Sequence, residues 1–180
     1  PGYEIAVVDQ DTGELCNAGE MGELWLRGTR GIQLFLEYAD NPEANEKAFE
    51  DGWFKTGDMV KMWPGGAVFY QERDKDLLKV GGENVAASEI ERVVSSVAGV
   101  AECAVVAKRD PMLDEVPVVF VLPPANSTVD IQQLSADVLA KCQAALADFK
   151  VPREIRVVDE LPRSTLDKIA KAKLRELANE

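Results

Sequence analysis

The sequence predicts an α+β protein made of a mostly β part, residues 1–72, and a second part, residues 77–180, with a small sheet flanked by helices. Before residue 72, short apolar segments alternate with turn residues, which is typical of strands. After residue 77, apolar residues recur at helical spacing between further strand-like segments. Residues 72–76 separate the two parts and read Glu-Arg-Asp-Lys-Asp, a run of charges without an apolar anchor. Such a run cannot be buried together, so we expect an exposed connector there, with a hinge at residues 73–76.

Composition narrows the class of protein. A length of 180 residues allows one ordinary domain, or a small domain with part of another, and 46% hydrophobic and 29% charged residues are ordinary for a soluble globular protein. The formal net charge of -12 repels phosphate backbones, so no nucleic-acid partner is expected. Histidine is absent, which excludes imidazole catalysis from this sequence. Cys16, Cys103 and Cys142 are widely spaced and form no C-x-x-C pair, so neither a disulfide framework nor a metal site is predicted.

The sequence carries no membrane or export signal. Its longest apolar run, residues 116–122, contains Pro117 and is too short to span a bilayer, and no cationic and apolar leader opens the chain. We therefore expect no transmembrane segment and a cytoplasmic location. The chain starts directly in a strand-like segment without a methionine, which indicates a fragment of a longer protein.

The first part is predicted to be mostly strands. Residues 3–8 and 22–28 are strand-like, and Asn41-Pro42 favours a short helix over residues 42–49 that ends before Asp51-Gly52. Residues 59–63 and 67–70 flank Pro64-Gly65-Gly66, which predicts a hairpin. We interpret Thr56-Gly57-Asp58 as a turn.

The second part is predicted to mix helices and strands. Ser88 and Glu91 form a capping-box pattern at the start of a helix that ends at Gly99. Strands are expected over residues 101–107, 116–122 and 154–158, with a helix over about 130–147. A last helix carries Ile169, Ala170, Leu174 and Leu177. The predicted order is β, α, β, β, α, β, α.

Three groups of residues are candidates for chemistry. Asp58, held on a turn, is suited to accept two hydroxyl donors such as those of a ribose, although the spacing alone favours a plain turn aspartate. Gly81-Gly82 allows the close approach of a slender ligand, or is a simple hairpin turn; it is not a dinucleotide fingerprint. Lys171 and Lys173 are expected on a solvated helix face. Lys168 differs, because it follows the loop of residues 161–165 at the start of that helix.

Five motifs, taken together, carry a resemblance to a known family. They are Gly22-Glu23-Leu24-Trp25-Leu26-Arg27-Gly28, Asp51-Gly52-Trp53-Phe54-Lys55-Thr56-Gly57-Asp58, Arg73-Asp74-Lys75-Asp76-Leu77-Leu78-Lys79, Gly81-Gly82-Glu83-Asn84-Val85 with Glu89-Ile90-Glu91, and Leu161-Pro162-Arg163 with Lys168-Ile169. In this order they resemble the later core motifs of adenylate-forming enzymes, which are the acyl-CoA synthetases with luciferases and peptide-synthetase adenylation domains as relatives. The motifs cover nearly the whole chain.

The resemblance implies an ATP-dependent acyl-CoA synthetase with ATP, Mg2+ and CoA as its cofactors and substrates. Residues 1–72 would end the large domain, residues 73–76 would be the hinge, and residues 77–180 would be the complete mobile C-terminal domain. Such an enzyme adenylates a carboxylic acid, releases pyrophosphate, and then transfers the acyl group to CoA with release of AMP. The phosphate loop and the acid pocket would lie in an upstream domain, so we expect this chain to be inactive alone.

The resemblance also implies a role for each matching residue. Asp58 would accept bonds from the ribose hydroxyls of ATP, Arg73 would donate to the same sugar, and Lys75 stands at the hinge position. Lys168 would bridge the substrate carboxylate and the α-phosphate during adenylation. In the second step, the acyl-adenylate and the pantetheine arm would face Lys79, Gly81, Gly82 and Glu83.

The sequence departs from the family pattern at Glu72, Glu37 and Asp167, which stand where family members usually have glycine. Aspartate tolerates left-handed backbone, so the loop before Lys168 is expected to form, but the carboxylate of Asp167 could pair with Lys168. The loop Gly-Gly-Glu-Asn resembles CoA ligases of small or medium acids, carnitine-ligase-like ones included. Two alternatives stay open, an adenylation domain that loads a carrier protein and a non-catalytic αβ interaction module.

Overall fold

The computed structural model describes residues 2–165 and 167–180, and the chain divides into two compact units, Pro1–Lys75 and Asp76–Glu180. Each unit contains its own sheet, and helices accompany both sheets. The α+β class predicted from the sequence is therefore confirmed. No helix in the described part of the chain is both long and apolar enough to cross a bilayer.

The first unit is an antiparallel sheet with one short helix beside it. Its strands are β1 (Glu4–Val8), β2 (Met21–Arg27), β3 (Phe49–Glu50), β4 (Trp53–Met62) and β5 (Val68–Arg73). The order is β1-β2-β4, and β4 also pairs with both β3 and β5. The helix α1 (Pro42–Ala48) begins where Asn41 accepts a hydrogen bond from the Ala44 amide, as the Asn-Pro pair predicts.

The second unit is a mixed sheet between helices. Its strands are β6 (Leu77–Val80), β7 (Glu83–Ala86), β8 (Glu102–Asp110), β9 (Asp114–Leu122) and β10 (Glu154–Val157). The order is β10-β9-β6-β7, with β8 also paired to β9, and β9 and β10 run parallel. The helices are α2 (Ala87–Val94), α3 (Ile131–Ala145) and α4 (Lys171–Ala178).

Both faces of the second sheet are buried, which gives this unit three layers. Side chains alternate along β8 and β9, so Val105, Val119 and Val121 pack against α2 and α3. The opposite face carries Val106, Val118 and Phe120, which pack with Leu174 and Ala178 of α4. The burial of β9 on both faces explains why residues 116–122 form the longest apolar run of the sequence.

The structure corrects two predictions in the first unit. Thr56-Gly57-Asp58 is not a turn, because β4 continues through it from Trp53 to Met62. The charged connector is not fully exposed, because Glu72 is only 6% exposed within β5, where it pairs with Met59 of β4. Strand pairing thus extends into the charged run as far as Arg73, and a 3-10 turn at Asp74–Asp76 follows.

Three helix-related predictions in the second unit are also corrected. The capping box at Ser88 is wrong, because α2 starts at Ala87 and the preceding Ala86 makes no side-chain cap bond. That helix ends at Val94, before Gly99. The last helix starts at Lys171, after Ile169. One strand was also missed: β7 is absent from the predicted order because its sequence, Glu83–Ala86, is half polar.

Candidate functional site

Asp58 and Arg73 form the centre of a candidate site in the first unit. They are direct partners across β4 and β5, and Arg73 Nε lies 2.6 Å from Asp58 Oδ1. The Asp58 Oδ1 atom is buried beside this guanidinium and accepts no hydrogen bond from any other described residue. An ionised carboxylate is acceptor-only, so Asp58 is suited to accept from a hydroxyl or N–H donor of a ligand.

A bulge in β4 places Asp58 at this position. Along β2 and β4 the register runs from Glu23 with Met59 to Trp25 with Lys55, so residues 56–58 lie opposite Leu24 alone. Gly57 has φ +70°, a left-handed conformation that glycine adopts at no steric cost. The Thr56 hydroxyl donates to the Leu24 carbonyl (2.7 Å), which ties the bulge to β2. A turn and a bulge use the same residue types, and this is why the sequence did not separate them.

Gly81 and Gly82 form the two-residue turn of the β6–β7 hairpin, between the last strand pair, Val80 with Glu83. Their φ values of +60° and +87° are those that a turn of this kind requires. The Gly81 amide also donates to the Leu113 carbonyl (2.8 Å). The simple hairpin interpretation of these glycines is therefore correct, and a role in ligand approach is a separate prediction.

Lys79 lies on the same hairpin. It is exposed between the buried Leu78 and Val80, and its amide donates to a carboxylate oxygen of Glu115 on β9 (2.8 Å). Glu83 is exposed at the other side of the turn. Lys79, Gly81, Gly82 and Glu83 are thus all exposed on this hairpin.

Lys168 lies near the tip of a closed loop before α4. The loop is closed by an Ala170 amide to Pro162 carbonyl bond (2.7 Å), by the bridge of Arg163 with Ile169, and by a Ser164 amide to Lys168 carbonyl bond (2.7 Å). The Lys168 side chain is exposed, and within residues 2–165 and 167–180 no carboxylate forms an ion pair with it, Asp167 included. Its cation is thus available to a ligand.

Asp167 adopts the left-handed conformation that the sequence predicts for a residue replacing glycine, with φ +59°. Its carbonyl accepts from Arg163 at 3.4 Å. The substitution of glycine by aspartate is thus compatible with a formed loop.

Two ion pairs attach this loop to the rest of its unit. Arg163 pairs with Glu102 at the start of β8 (2.6 Å), and the hydrogen bond to Glu102 raises the pKa of Arg163 above its ordinary value. Lys171, the first residue of α4, pairs with Glu91 of α2 (2.8 Å), and the same Glu91 oxygen accepts from the Val105 amide (2.8 Å). The predicted solvated face is therefore wrong for Lys171, whose side chain is only 20% exposed, while Lys173 is exposed.

The described residues contain no group of three or more histidine, cysteine or acidic side chains placed to hold a metal ion. The three cysteines are free, and Cys142 is buried on the core face of α3.

Comparison with known proteins identifies the family. Residues 89–168, which end on Lys168, match the family model for the AMP-binding enzyme C-terminal domain. The 2-succinylbenzoate–CoA ligase of Listeria monocytogenes is 39% identical over 155 residues, 86% of this chain and 31% of the ligase. ATP-bound MatB of Rhodopseudomonas palustris superposes with a TM-score of 0.82 at 34% identity, over 100% of this chain and 35% of that protein.

The chain belongs to the adenylate-forming enzymes. A further solved relative at 29% identity is the o-succinylbenzoate CoA synthetase MenE of Bacillus subtilis, known with its acyl-adenylate intermediate. The two structures match with a TM-score of 0.80, and the match covers 97% of this chain and 34% of MenE. The same enzyme is known with ATP and a magnesium ion. This chain spans about a third of the length of the relatives that it matches and corresponds to their C-terminal portion.

The candidate residues of this chain are distributed over both units. Asp58 and Arg73 lie together in the first unit, whereas the Lys79 hairpin and the Lys168 loop are separate features of the second. Lys75 is the last residue of the first unit. Sequence reasoning missed the residues that support these side chains: Glu23, Thr56, Glu91, Glu102 and Lys171.

Proposed function

We propose that the full-length protein containing this chain is an ATP-dependent acid–thiol ligase that converts a carboxylic acid to its acyl-CoA. The observation that carries the proposal is the pairing of Asp58 with the exposed Arg73 across β4 and β5, at 2.6 Å. An acceptor-only carboxylate beside a guanidinium is suited to a polyhydroxylated and negatively charged ligand such as a nucleotide. The names of the relatives, which include CoA ligases and an ATP-bound structure, support this choice.

In the first step, a carboxylate oxygen of the acid attacks the α-phosphorus of ATP, and the bond to pyrophosphate breaks. Asp58 accepts from the ribose hydroxyls, because an ionised carboxylate offers only acceptors, and Arg73 donates to the same sugar. Magnesium, where it accompanies ATP, would neutralise charge on the phosphates. This role for Asp58 rests on its place directly opposite Arg73, where β4 and β5 pair.

Lys168 acts on the reacting atoms of the same step. Its exposed ammonium group donates to the acid and to the α-phosphate, where negative charge increases as pyrophosphate leaves. The tethered loop positions the cation in advance, and the loss of one such donor typically lowers the rate by about 10²–10³.

The second step uses the β6–β7 hairpin. The CoA thiol gives up its proton to solvent, its sulfur attacks the acyl carbon, and the carbon–oxygen bond to AMP breaks so that AMP leaves with both electrons of that bond. We assign Lys79 and Glu83 to the rim of the thiol path, and Gly81 and Gly82 to the point of closest approach, since neither glycine has a Cβ. A rotation about Lys75 exchanges the two lysines, which is supported by the boundary between the two units directly after this residue.

The proposal is tested with the full-length protein by acid-dependent exchange of labelled pyrophosphate into ATP over a panel of carboxylic acids. We expect exchange with at least one acid, and formation of its CoA thioester when CoA is added. Label transfer to a carrier protein and not to CoA would support a carrier-loading adenylation domain instead. No exchange with any acid would contradict the proposal and favour a non-catalytic module.

A further inference from the structure

Glu23 is a buried carboxylate in the first unit that the proposed chemistry does not use. It lies on β2 and is only 7% exposed. Its two oxygens accept three hydrogen bonds, from the Gly57 amide (2.8 Å), the Trp25 indole N–H (3.0 Å) and the Gln10 side-chain amide (3.4 Å). All three donors are neutral, and no described lysine or arginine forms an ion pair with Glu23.

A buried carboxylate without a cation is expensive to keep in a protein, so its contacts need an explanation. The Gly57 amide lies inside the β4 bulge, where the regular hydrogen bonds between β2 and β4 are interrupted. Glu23 supplies the acceptor that the strand pairing does not supply at this point. The contact therefore fixes the backbone of the bulge and does more than satisfy the carboxylate.

The same bulge sets the direction of Asp58. The Asp58 amide donates to the Thr56 hydroxyl (3.1 Å), and that hydroxyl donates to the Leu24 carbonyl (2.7 Å). Gly57 lies between these two residues and is held by Glu23 alone among the described side chains. A rotation at Gly57 would therefore turn Asp58 away from Arg73.

We propose that Glu23 is a positioning residue for nucleotide binding. It acts through Gly57 to hold Asp58 beside Arg73, where the two side chains would meet the ribose, and it touches no substrate itself. This inference rests on the proposed function, since it assumes that Asp58 binds ATP. It predicts that the identity of residue 23 affects ATP more than the acid or CoA.

The test uses Glu23→Gln in the full-length protein. Gly57 and Trp25 donate to different oxygens of Glu23, so a glutamine would keep one of these bonds and place its own NH2 donor against the other N–H. We expect the Kd for ATP, measured by calorimetry without acid, and the KM for ATP to rise about tenfold, with the KM for the acid within twofold. Hydrogen exchange of peptides covering residues 53–62 should become faster, whereas thioester formation from supplied acyl-adenylate should be unchanged.

Two further variants make the result specific. Glu46→Gln changes an exposed glutamate of α1 and should leave every parameter within twofold of wild type. Trp25→Phe removes one donor to Glu23 but keeps the contact to Gly57, so we expect a rise in the KM for ATP of about two- to fivefold. This milder variant keeps the proposal testable if Glu23→Gln does not fold.

The outcomes separate this inference from the proposed function. If wild type binds ATP, Asp58→Asn weakens that binding and Glu23→Gln leaves it within twofold, the positioning role is refuted while the proposed function stands. If Glu23→Gln weakened the KM values for ATP, acid and CoA by equal factors and also lowered the Tm, Glu23 would only stabilise the fold and would not position Asp58. If wild type neither binds ATP nor exchanges pyrophosphate, the proposed function itself fails.

Discussion

The ion pair between Lys171 and Glu91 should stabilise the second unit measurably. Their side chains are 20% and 23% exposed, and Glu91 also accepts from the Val105 amide. Exposed pairs contribute about 0.2–1 kcal/mol, whereas breaking a buried pair costs about 3–5 kcal/mol. The partial burial places this pair between those limits, so Lys171→Met should lower the free energy of unfolding by about 2 kcal/mol.

A double-mutant cycle isolates the interaction of the two charges. Lys171→Met, Glu91→Gln and the double variant are unfolded in urea and monitored by far-UV circular dichroism. We expect a coupling free energy of about 1–2 kcal/mol. Glutamine at position 91 can still accept from the Val105 amide, so the cycle removes the charge pair and keeps that bond.

An exposed pair provides the matched control. Lys47 and Glu43 lie four residues apart on α1 with side chains 74% and 78% exposed, and their coupling should be about 0.5 kcal/mol or less. All three tryptophans lie in the first unit, so tryptophan fluorescence reports the unfolding of the region that contains this control. A coupling for Lys171 and Glu91 no larger than the control would refute the argument from burial.

Two further predictions concern single carboxylates. Hydrogen bonds from Arg156 and Lys108 lower the pKa of Glu154 from 4.5 to about 2. The resulting stabilisation is complete above about pH 4.5 and is lost as the pH falls toward 2; because the three side chains are about a third exposed, it amounts to only about 1 kcal/mol. Urea unfolding should show Glu154→Gln less stable than wild type at pH 7, with the two converging near pH 2; a constant difference across that range would contradict this. At the second carboxylate, Asp167→Asn keeps a residue that tolerates left-handed backbone and removes a negative charge beside Lys168. The Asp167 carboxylate would repel the phosphates of ATP, and such a repulsion between charges several ångströms apart in water is roughly 0.5–1 kcal/mol. The KM for ATP should therefore fall about two- to fivefold at low salt in this variant. An unchanged KM would show that the carboxylate has no effect on ATP.

Local sequence patterns predicted elements whose signals lie within the elements themselves. The stripe of Leu134, Val138 and Cys142 predicts α3, and all three residues are buried on its core face. The Pro64-Gly65-Gly66 segment predicts the hairpin that joins β4 to β5. In both cases, hydrophobic periodicity or turn chemistry decides the conformation without help from distant residues.

Predictions failed where a distant partner decides the structure. The Lys171 side chain is largely buried because Glu91, far away in the sequence, lies beside it in the fold and pairs with it. Gly57 is in a bulge because the register of β2 requires it, and no local pattern of Thr-Gly-Asp records that register. Glu23 was quoted within a family motif without a role, since only the folded chain brings its carboxylate to the Gly57 amide.

The central claim is that two lysines of the second unit serve two different half-reactions, and its most direct test measures these separately in the full-length protein. We expect Lys168→Ala to lower acid-dependent pyrophosphate exchange by about 10²–10³ and to spare thioester formation from supplied acyl-adenylate. Lys79→Ala should show the opposite bias. Equal losses in both half-reactions for both variants would contradict the account.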